Sequence, residues 1–168
     1  MYENDKFKLG DILEDTITGF SGTAFCKSDH INGCRHYHLA RKAENIVEHA
    51  YASVGVQNLD YQRLKFVKDG LKLPKVDHTW PEDGPNLGDE VECLLSGNKG
   101  IVVVTNSYLS GTKDIEIQAK YNKNKKDVNF PESRTSNITY VKVVKKAKSD
   151  IVKSEKGFVS HKTKLAIK

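Results

Sequence analysis

The sequence predicts a mainly β protein made of two tandem copies of a small five-stranded barrel. Three observations favour this fold class: a self-similarity at an offset of 78 residues, short segments of alternating apolar and polar residues, and glycines at matching places in both copies. Because the segments are short and no long crossover joins them, a closed barrel without exposed strand edges is favoured over an open sheet.

The self-similarity aligns residues 9–33 with residues 87–111 without a gap. Seven of the 25 aligned positions are identical, and glycine accounts for four of them. Glycine recurs where the backbone needs a positive φ or passes close to another strand, so shared glycines predict shared turns. The identical pairs are Leu9 and Leu87, Gly10 and Gly88, Asp11 and Asp89, Glu14 and Glu92, Gly19 and Gly97, Gly22 and Gly100, and Gly33 and Gly111.

Alternation and turn residues place four strands in each copy. In the first copy the predicted strands are Ile12–Ile17, Thr23–Lys27, Arg35–Ala40 and Gln62–Val67. In the second copy they are Asp89–Leu95, Ile101–Thr105, Asp114–Tyr121 and Ile138–Val144.

The segment between the third and the last strand differs between the copies. In the first copy, apolar residues at helical spacing predict an amphipathic helix over about 41–54 that caps one end of the barrel. The alternative is a helix that binds a partner. The second copy has a polar loop there, YNKNKKDVNFPESRTSN.

The predicted domain boundaries follow from these elements. The first barrel spans residues 7–68, a flexible linker residues 69–86, the second barrel residues 87–146 and a basic tail residues 147–168. The linker holds three of the four prolines and the only tryptophan, Trp80, which we expect to pin it to a barrel.

The positive charge lies mainly in the second copy and the tail. The net charge is +5, yet residues 1–84 hold 11 basic and 13 acidic residues, while residues 85–168 hold 16 basic and 9 acidic ones. This asymmetry favours a polyanionic partner such as nucleic acid. Without a signal-peptide pattern or a long apolar run, and with only three cysteines, we expect an intracellular protein with no membrane partner.

Two strings resemble known families. LGDEVECLLSGNKGIVVV resembles the KOW motif of SH3-like barrels, and FKLGDILEDTITGFSGTAFCKSDHINGC is similar to small barrel proteins of tailed bacteriophages. A chain with two KOW-like barrels and a basic end is similar to a family of DNA-binding transcription modulators of T4-type phages. The resemblance implies SH3-like folds that bind nucleic acid or the transcription or translation machinery. The GFSG turn of the first copy lacks the basic residue found at Lys99, so the nucleic-acid role falls to the second copy.

Lysines of the second copy and the tail are the candidate nucleic-acid contacts. Each ammonium group near a phosphate releases a condensed counterion, which gives salt-sensitive affinity without sequence preference. Arg134 is the only arginine after residue 63, so base readout by bidentate arginine is not expected to dominate. The candidates are Lys99, Lys113, Lys123, Lys125, Lys126, Arg134, Lys142, Lys145, Lys146, Lys148, Lys153, Lys156, Lys162 and Lys164.

A cluster of thiol and imidazole groups in residues 26–38 is the one place that suggests a metal. A zinc site would use Cys26, His30, Cys34 and His36, but their spacing differs from that of the usual zinc knuckles. We therefore predict no metal and no cofactor. We expect Cys26 and Cys34 to face each other across a hairpin, and His36 and His38 to share one face of a strand.

No nucleophile, phosphate-loop or zinc-protease motif is present, so we predict no catalytic residue and no enzyme activity. The function expected is largely sequence-independent binding of double-stranded DNA that modulates transcription or host nucleoid organisation, with host nucleoid or transcription proteins as further partners. The alternatives are a protein-interaction module that binds RNA polymerase, the ribosome or its RNA, or a host defence protein, and a virion component.

Overall fold

A computed structural model describes residues 6–41, 56–73, 76–120 and 133–147 of the chain. Residues 42–54 of the predicted helix and residues 148–168 of the predicted tail lie outside these ranges. Within them the protein is mainly β, as predicted, with ten strands and two short 3-10 turns.

The strands fall into two sets of five. In the first half, which we define as residues 6–68, they are β1 Ile12–Asp15, β2 Ser21–His30, β3 Arg35–Ala40, β4 Val56–Asp60 and β5 Leu64–Lys68. In the second half, residues 87–147, they are β6 Glu90–Cys93, β7 Lys99–Tyr108, β8 Lys113–Gln118, β9 Ser133–Asn137 and β10 Val141–Lys145. The 3-10 turns, Tyr61–Arg63 and Ile138–Tyr140, each precede the last strand of a half.

Compared with the prediction, β3 has the expected bounds, and β2 and β7 are longer than expected. Strands β4 and β9 were not placed from the sequence. The sequence of β9, SRTSN, is polar and therefore resembles a loop. Backbone hydrogen bonds with β8, rather than apolar side chains, define it as a strand.

All strand pairs are antiparallel, and the two halves have the same order, β5-β1-β2-β3-β4 and β10-β6-β7-β8-β9. Pairing of β2 with β7 joins them into one ten-stranded sheet. Among the described strands no ladder links β4 to β5 or β9 to β10, because a 3-10 turn redirects the chain between them. The strand pairing is therefore that of an open sheet.

The backbone reproduces the repeat found in the sequence. Gly10 N donates to Ala24 O at 2.8 Å, and Gly88 N donates to Val102 O at the same distance. Positive φ angles occur at three equivalent pairs of glycines, which are Gly10 and Gly88, Gly19 and Gly97, and Gly33 and Gly111. The shared glycines thus mark shared turns, as predicted.

The pairing of β2 with β7, which we call the junction, follows a pseudo-twofold axis. Ser28 pairs with Asn106, its own equivalent at an offset of 78 residues. On one side of this pair Ile31 N donates to Val103 O at 2.8 Å, and on the other side Leu109 N donates to Phe25 O at 2.8 Å. These two bonds are exchanged by the repeat, so the junction is isologous.

Each half has its own hydrophobic core. The buried residues of the first are Phe7, Leu13, Ala24, Tyr37, Leu39, Leu59 and Leu64. Those of the second are Val91, Cys93, Val102, Ile115 and Ile117. Two separate cores joined by a polar strand pairing match the expected duplication of one small unit.

The connection, residues 69–86, differs from the flexible linker that its composition predicts. Its described residues lie against both halves. The Leu71 carbonyl closely approaches Gly10 of the first half, while His78 Nε2 is 2.9 Å from Leu109 O and Trp80 packs against the second core. The Trp80 Nε1 donates to Pro85 O at 3.0 Å. Close backbone contacts and docked side chains hold this segment in place, and composition does not reveal either. Trp80 pins the connection to the second half, as expected.

Candidate nucleic-acid interface

The structure describes six of the predicted nucleic-acid contacts, which are Lys99, Lys113, Arg134, Lys142, Lys145 and Lys146. The other eight, Lys123, Lys125, Lys126, Lys148, Lys153, Lys156, Lys162 and Lys164, lie outside the described residues.

One row of charges crosses the outer face of β10, β6 and β7. In β6 the buried residues Val91 and Cys93 alternate with Glu90 and Glu92, which therefore point away from the core. Glu92 pairs with Lys142 on one side and with Lys99 on the other. The Lys99 Nζ lies 3.3 Å from a Glu92 carboxylate oxygen.

A second row lies beside the first. Glu90 pairs with Lys145 on β10, and the Lys120 Nζ lies 2.6 Å from a Glu90 carboxylate oxygen. The hydrogen bond from Lys120 lowers the pKa of the Glu90 carboxyl below its ordinary value, and the positive charges of Lys120, Lys145 and Lys99 add to the effect. Glu90 is thus an anion held among cations.

Lys99, Lys120, Lys142 and Lys145 together form what we call the lysine face. Because each of the two glutamates lies between two lysines, the face keeps an excess of positive charge. The side chains of Lys99 and Lys120 are 63% and 58% exposed, so their ammonium groups are open to a solvent-side anion. Such a surface attracts phosphates.

Lys120 was not among the predicted contacts. The signal that could have found it is the alternation of Glu116, Gln118 and Lys120, which continues the outer face of β8.

The remaining predicted residues lie elsewhere. Lys113 pairs with Ser107, near the far end of β7 from Lys99, and its Nζ donates to Asp77 O at 2.9 Å. Arg134 lies on β9 opposite the buried Ile117. The structure therefore does not bring Lys99, Lys113 and Arg134 into one rim.

Lys146 has a structural role. Its Nζ lies 3.2 Å from an oxygen of Asp89, whose side chain is 2% exposed, and it donates to Gly84 O at 3.0 Å. The second oxygen of Asp89 accepts from Ala147 N at 2.7 Å. These bonds fasten the end of the second half to the opening turn of that half.

The first half keeps only part of the lysine face. At an offset of 77 residues, Lys65 and Lys68 on β5 correspond to Lys142 and Lys145 on β10. The Lys65 Nζ lies 2.8 Å from Glu14, the equivalent of Glu92. Ser21 occupies the place of Lys99, as the comparison of the two turns predicts.

No protein-family model, curated protein or solved structure matches the chain. Within the ranges that the structure describes, no helix is long and apolar enough to cross a membrane.

The thiol and imidazole cluster does not form a metal centre in the described part of the chain, where no group of three His, Cys, Asp or Glu could hold an ion. Cys26 pairs with His38, so the prediction that it faces Cys34 is wrong. The hairpin turn sets this pairing, because His30 N donates to Cys34 O at 2.9 Å and the register is then unbroken as far as Cys26. Burial raises the pKa of the Cys26 thiol to about 11, which disfavours the thiolate that zinc requires. His36 and His38 share one face of β3, as predicted.

Proposed function

We propose that this protein is a non-enzymatic, largely sequence-independent binder of double-stranded DNA that modulates transcription or host nucleoid organisation. The observation that carries the proposal is the lysine face, where four lysines surround two glutamates on one exposed sheet surface. Phosphate contacts by lysine fix a protein on a duplex without reading its sequence.

We also infer that the two halves are SH3-like folds of the KOW type whose described strand ladders stay open between β4 and β5 and between β9 and β10, with the lysine face on the second half. Both halves have the same strand order, with a shared Gly-Asp opening at Gly10-Asp11 and Gly88-Asp89. We propose that the chain resembles the DNA-binding transcription modulators of T4-type phages in its two KOW-like motifs and its basic end. The fold supports a binding role, while the activity depends on the lysines themselves.

The double variant Lys142→Ala and Lys145→Ala tests the proposal. Loss of two phosphate contacts is expected to flatten the slope of log affinity against log salt by about 2, and to weaken duplex binding by about tenfold or more at about 0.1 M salt. The measurement is fluorescence anisotropy of a labelled duplex across a salt series, with two unrelated sequences.

The matched control is Lys65→Ala and Lys68→Ala, which removes the equivalent lysines of the first half. Because Ser21 stands there in place of Lys99, this pair belongs to a weaker cationic surface, and duplex affinity is expected to change less than threefold, that is by under about 0.7 kcal/mol. Equal losses in both double variants, or no loss with Lys142→Ala and Lys145→Ala, would contradict the assignment to the second half.

A protein-interaction module is the second candidate, and the turn between β6 and β7 favours it. Leu94 and Leu95 are 62% and 73% exposed there, which is unusual for two adjacent leucines in a polar hairpin turn. Leu94→Ser and Leu95→Ser should then abolish a complex that resists nuclease and high salt, and should leave duplex binding unchanged. A complex that nuclease dissolves would instead favour the DNA proposal.

A further inference from the structure

Three histidines gather on one face of the junction. Beyond the bulge near Phe25, Ser28 pairs with His36 and Cys26 pairs with His38, which places the end of β2 on the same face as both imidazoles. The rings of His30 and His36 have centroids 4.7 Å apart. We call His30, His36 and His38 the junction histidines.

The surroundings of His30 and His36 suit their neutral forms, whereas His38 can donate in either form. The Ser28 hydroxyl donates its proton to Asn106 Oδ1 at 2.6 Å, so His38 Nε2, 2.9 Å from Ser28 Oγ, acts as the donor in that contact. His30 Nε2 and His36 Nδ1 are buried and have no hydrogen-bond partner in the described part of the chain. A proton added to either nitrogen would lack an acceptor, and the added charge would lack water.

The surrounding carboxylates are mostly engaged. Asp114 accepts from Asn106 Nδ2 at 2.7 Å, and Asp29 holds Arg35 at 2.6 Å. Asp60 caps a 3-10 turn by accepting from Gln62 N at 2.7 Å. The titratable and charged groups around the cluster are Cys26 and Asp29 on β2, Arg35 on β3, Asp60 on β4, Tyr108 on β7, and Asp114 and Glu116 on β8.

Burial is the main electrostatic influence on His30 and His38. It lowers the pKa of both His30 and His38, and the neighbouring His36 lowers it further. Glu116 acts in the opposite direction on both rings. Protonation is therefore less favourable in the closed junction than in water.

We propose that the junction histidines make the pairing of β2 with β7 sensitive to pH, so that protonation of His30 and His38 in mildly acidic solution opens the junction while the two cores stay folded. An exposed histidine titrates near pH 6.5. Because the open state binds protons more readily, the histidines stabilise the junction above about pH 6.5 and lose this contribution as the pH falls below it.

Amide hydrogen exchange of the full chain, followed by NMR between about pH 7.5 and about pH 5, tests the proposal. The reporters are the Ile31 and Leu109 amides, which bond across the junction. The Asp15 and Cys93 amides, which bond to Phe20 O and Asn98 O at 2.8 Å, report on the turns of the two halves. For each proton taken up, protection of the junction amides should fall about tenfold per pH unit between the open and closed pKa values, while the reference amides change little.

Three variants locate the effect. His36→Gln should flatten the pH dependence of the junction amides, because His36 lowers the pKa of both His30 and His38. His78→Gln, followed at the Ile31 amide because His78 Nε2 lies 2.9 Å from Leu109 O, should leave that dependence intact. Glu116→Gln should steepen it, because Glu116 favours the protonated rings. The carboxyl of Asp15 does not interfere, since its hydrogen bonds from Arg63 and Thr18 hold its pKa well below its usual range.

Parallel loss of protection at junction and reference amides would overturn the proposal, as would equal flattening by His36→Gln and His78→Gln. If His36→Gln does not fold, NMR titration of the unaltered chain decides. Midpoints for His30 and His38 at or above about pH 6.5 would then exclude a pH-sensitive junction.

Discussion

An alanine at position 10 is expected to lower the free energy of unfolding by about 3 kcal/mol, a left-handed backbone cost plus a steric one. Gly10 has a φ of +96°, and an added Cβ would lie 2.0 Å from the carbonyl oxygen of Leu71 in the connection. Neither obstacle can be relieved by rotating a side chain, because the opposing atom belongs to the backbone. Urea unfolding followed by circular dichroism measures the loss.

Gly19→Ala is the matched control for this change. Gly19 has a similar φ, +72°, but nothing lies within 4 Å of its added Cβ. Only the conformational cost of about 1 kcal/mol should then appear. If the two variants lose the same free energy of unfolding, the contact between Gly10 and the connection does not contribute to stability, and other contacts hold the connection.

An aspartate at position 106 should cost about 3 kcal/mol at neutral pH. Asn106 lies on the pseudo-twofold axis, where its side-chain amide donates to Asp114 at 2.7 Å. The aspartate has no proton to donate there and brings a second carboxylate against the first. As the pH falls towards about 4, one of the two carboxyl groups takes up a proton and restores the donor, so the deficit should shrink.

Asn137→Asp is the control for a change of the same chemistry. Asn137 caps the 3-10 turn of the second half by accepting from Thr139 N at 2.9 Å, and Asp60 caps the equivalent turn of the first half at 2.7 Å. An acceptor suffices for the cap, but Asn137 also pairs with Asp114 across the ladder, so a cost of up to about 1 kcal/mol is expected, well below that of Asn106→Asp. A large deficit that persists in Asn106→Asp at acidic pH would contradict the assigned role of the Asn106 amide.

The local turns could be predicted from the sequence, because glycine identity reports directly on backbone conformation. Gly19 and Gly97 recur in sequence and both adopt positive φ. The exposure of Lys142 could also be predicted. Alternation along the last strand places Lys142 on the outer face and its neighbours Val141 and Val143 against the core. Lys145 was predicted only as a basic residue, and it lies on the same face because a bulge between Val143 and Lys145 shifts the register, which alternation does not reveal.

The junction could not be predicted, because its partners are 78 residues apart and its side chains are polar. Ser28 and Asn106 give no hydrophobic signal, yet their strands carry the pairing of the two halves. The docking of the connection was missed for a related reason. The composition of the connection gives no sign of its backbone contact at Gly10. The ion pair of Lys146 with Asp89 likewise becomes apparent only once the end of β10 is placed beside the opening turn of the second half.

The pseudo-twofold junction has the geometry of a symmetric homodimer whose subunits have been joined in one chain. In a true homodimer each residue on the axis must pair with a copy of itself, so Ser28 would meet serine and Asn106 would meet asparagine. Joining the subunits removes that restriction. The hydroxyl of Ser28 can then donate to the amide oxygen of Asn106, and the histidines of one subunit can face the acids of the other, Asp114 and Glu116.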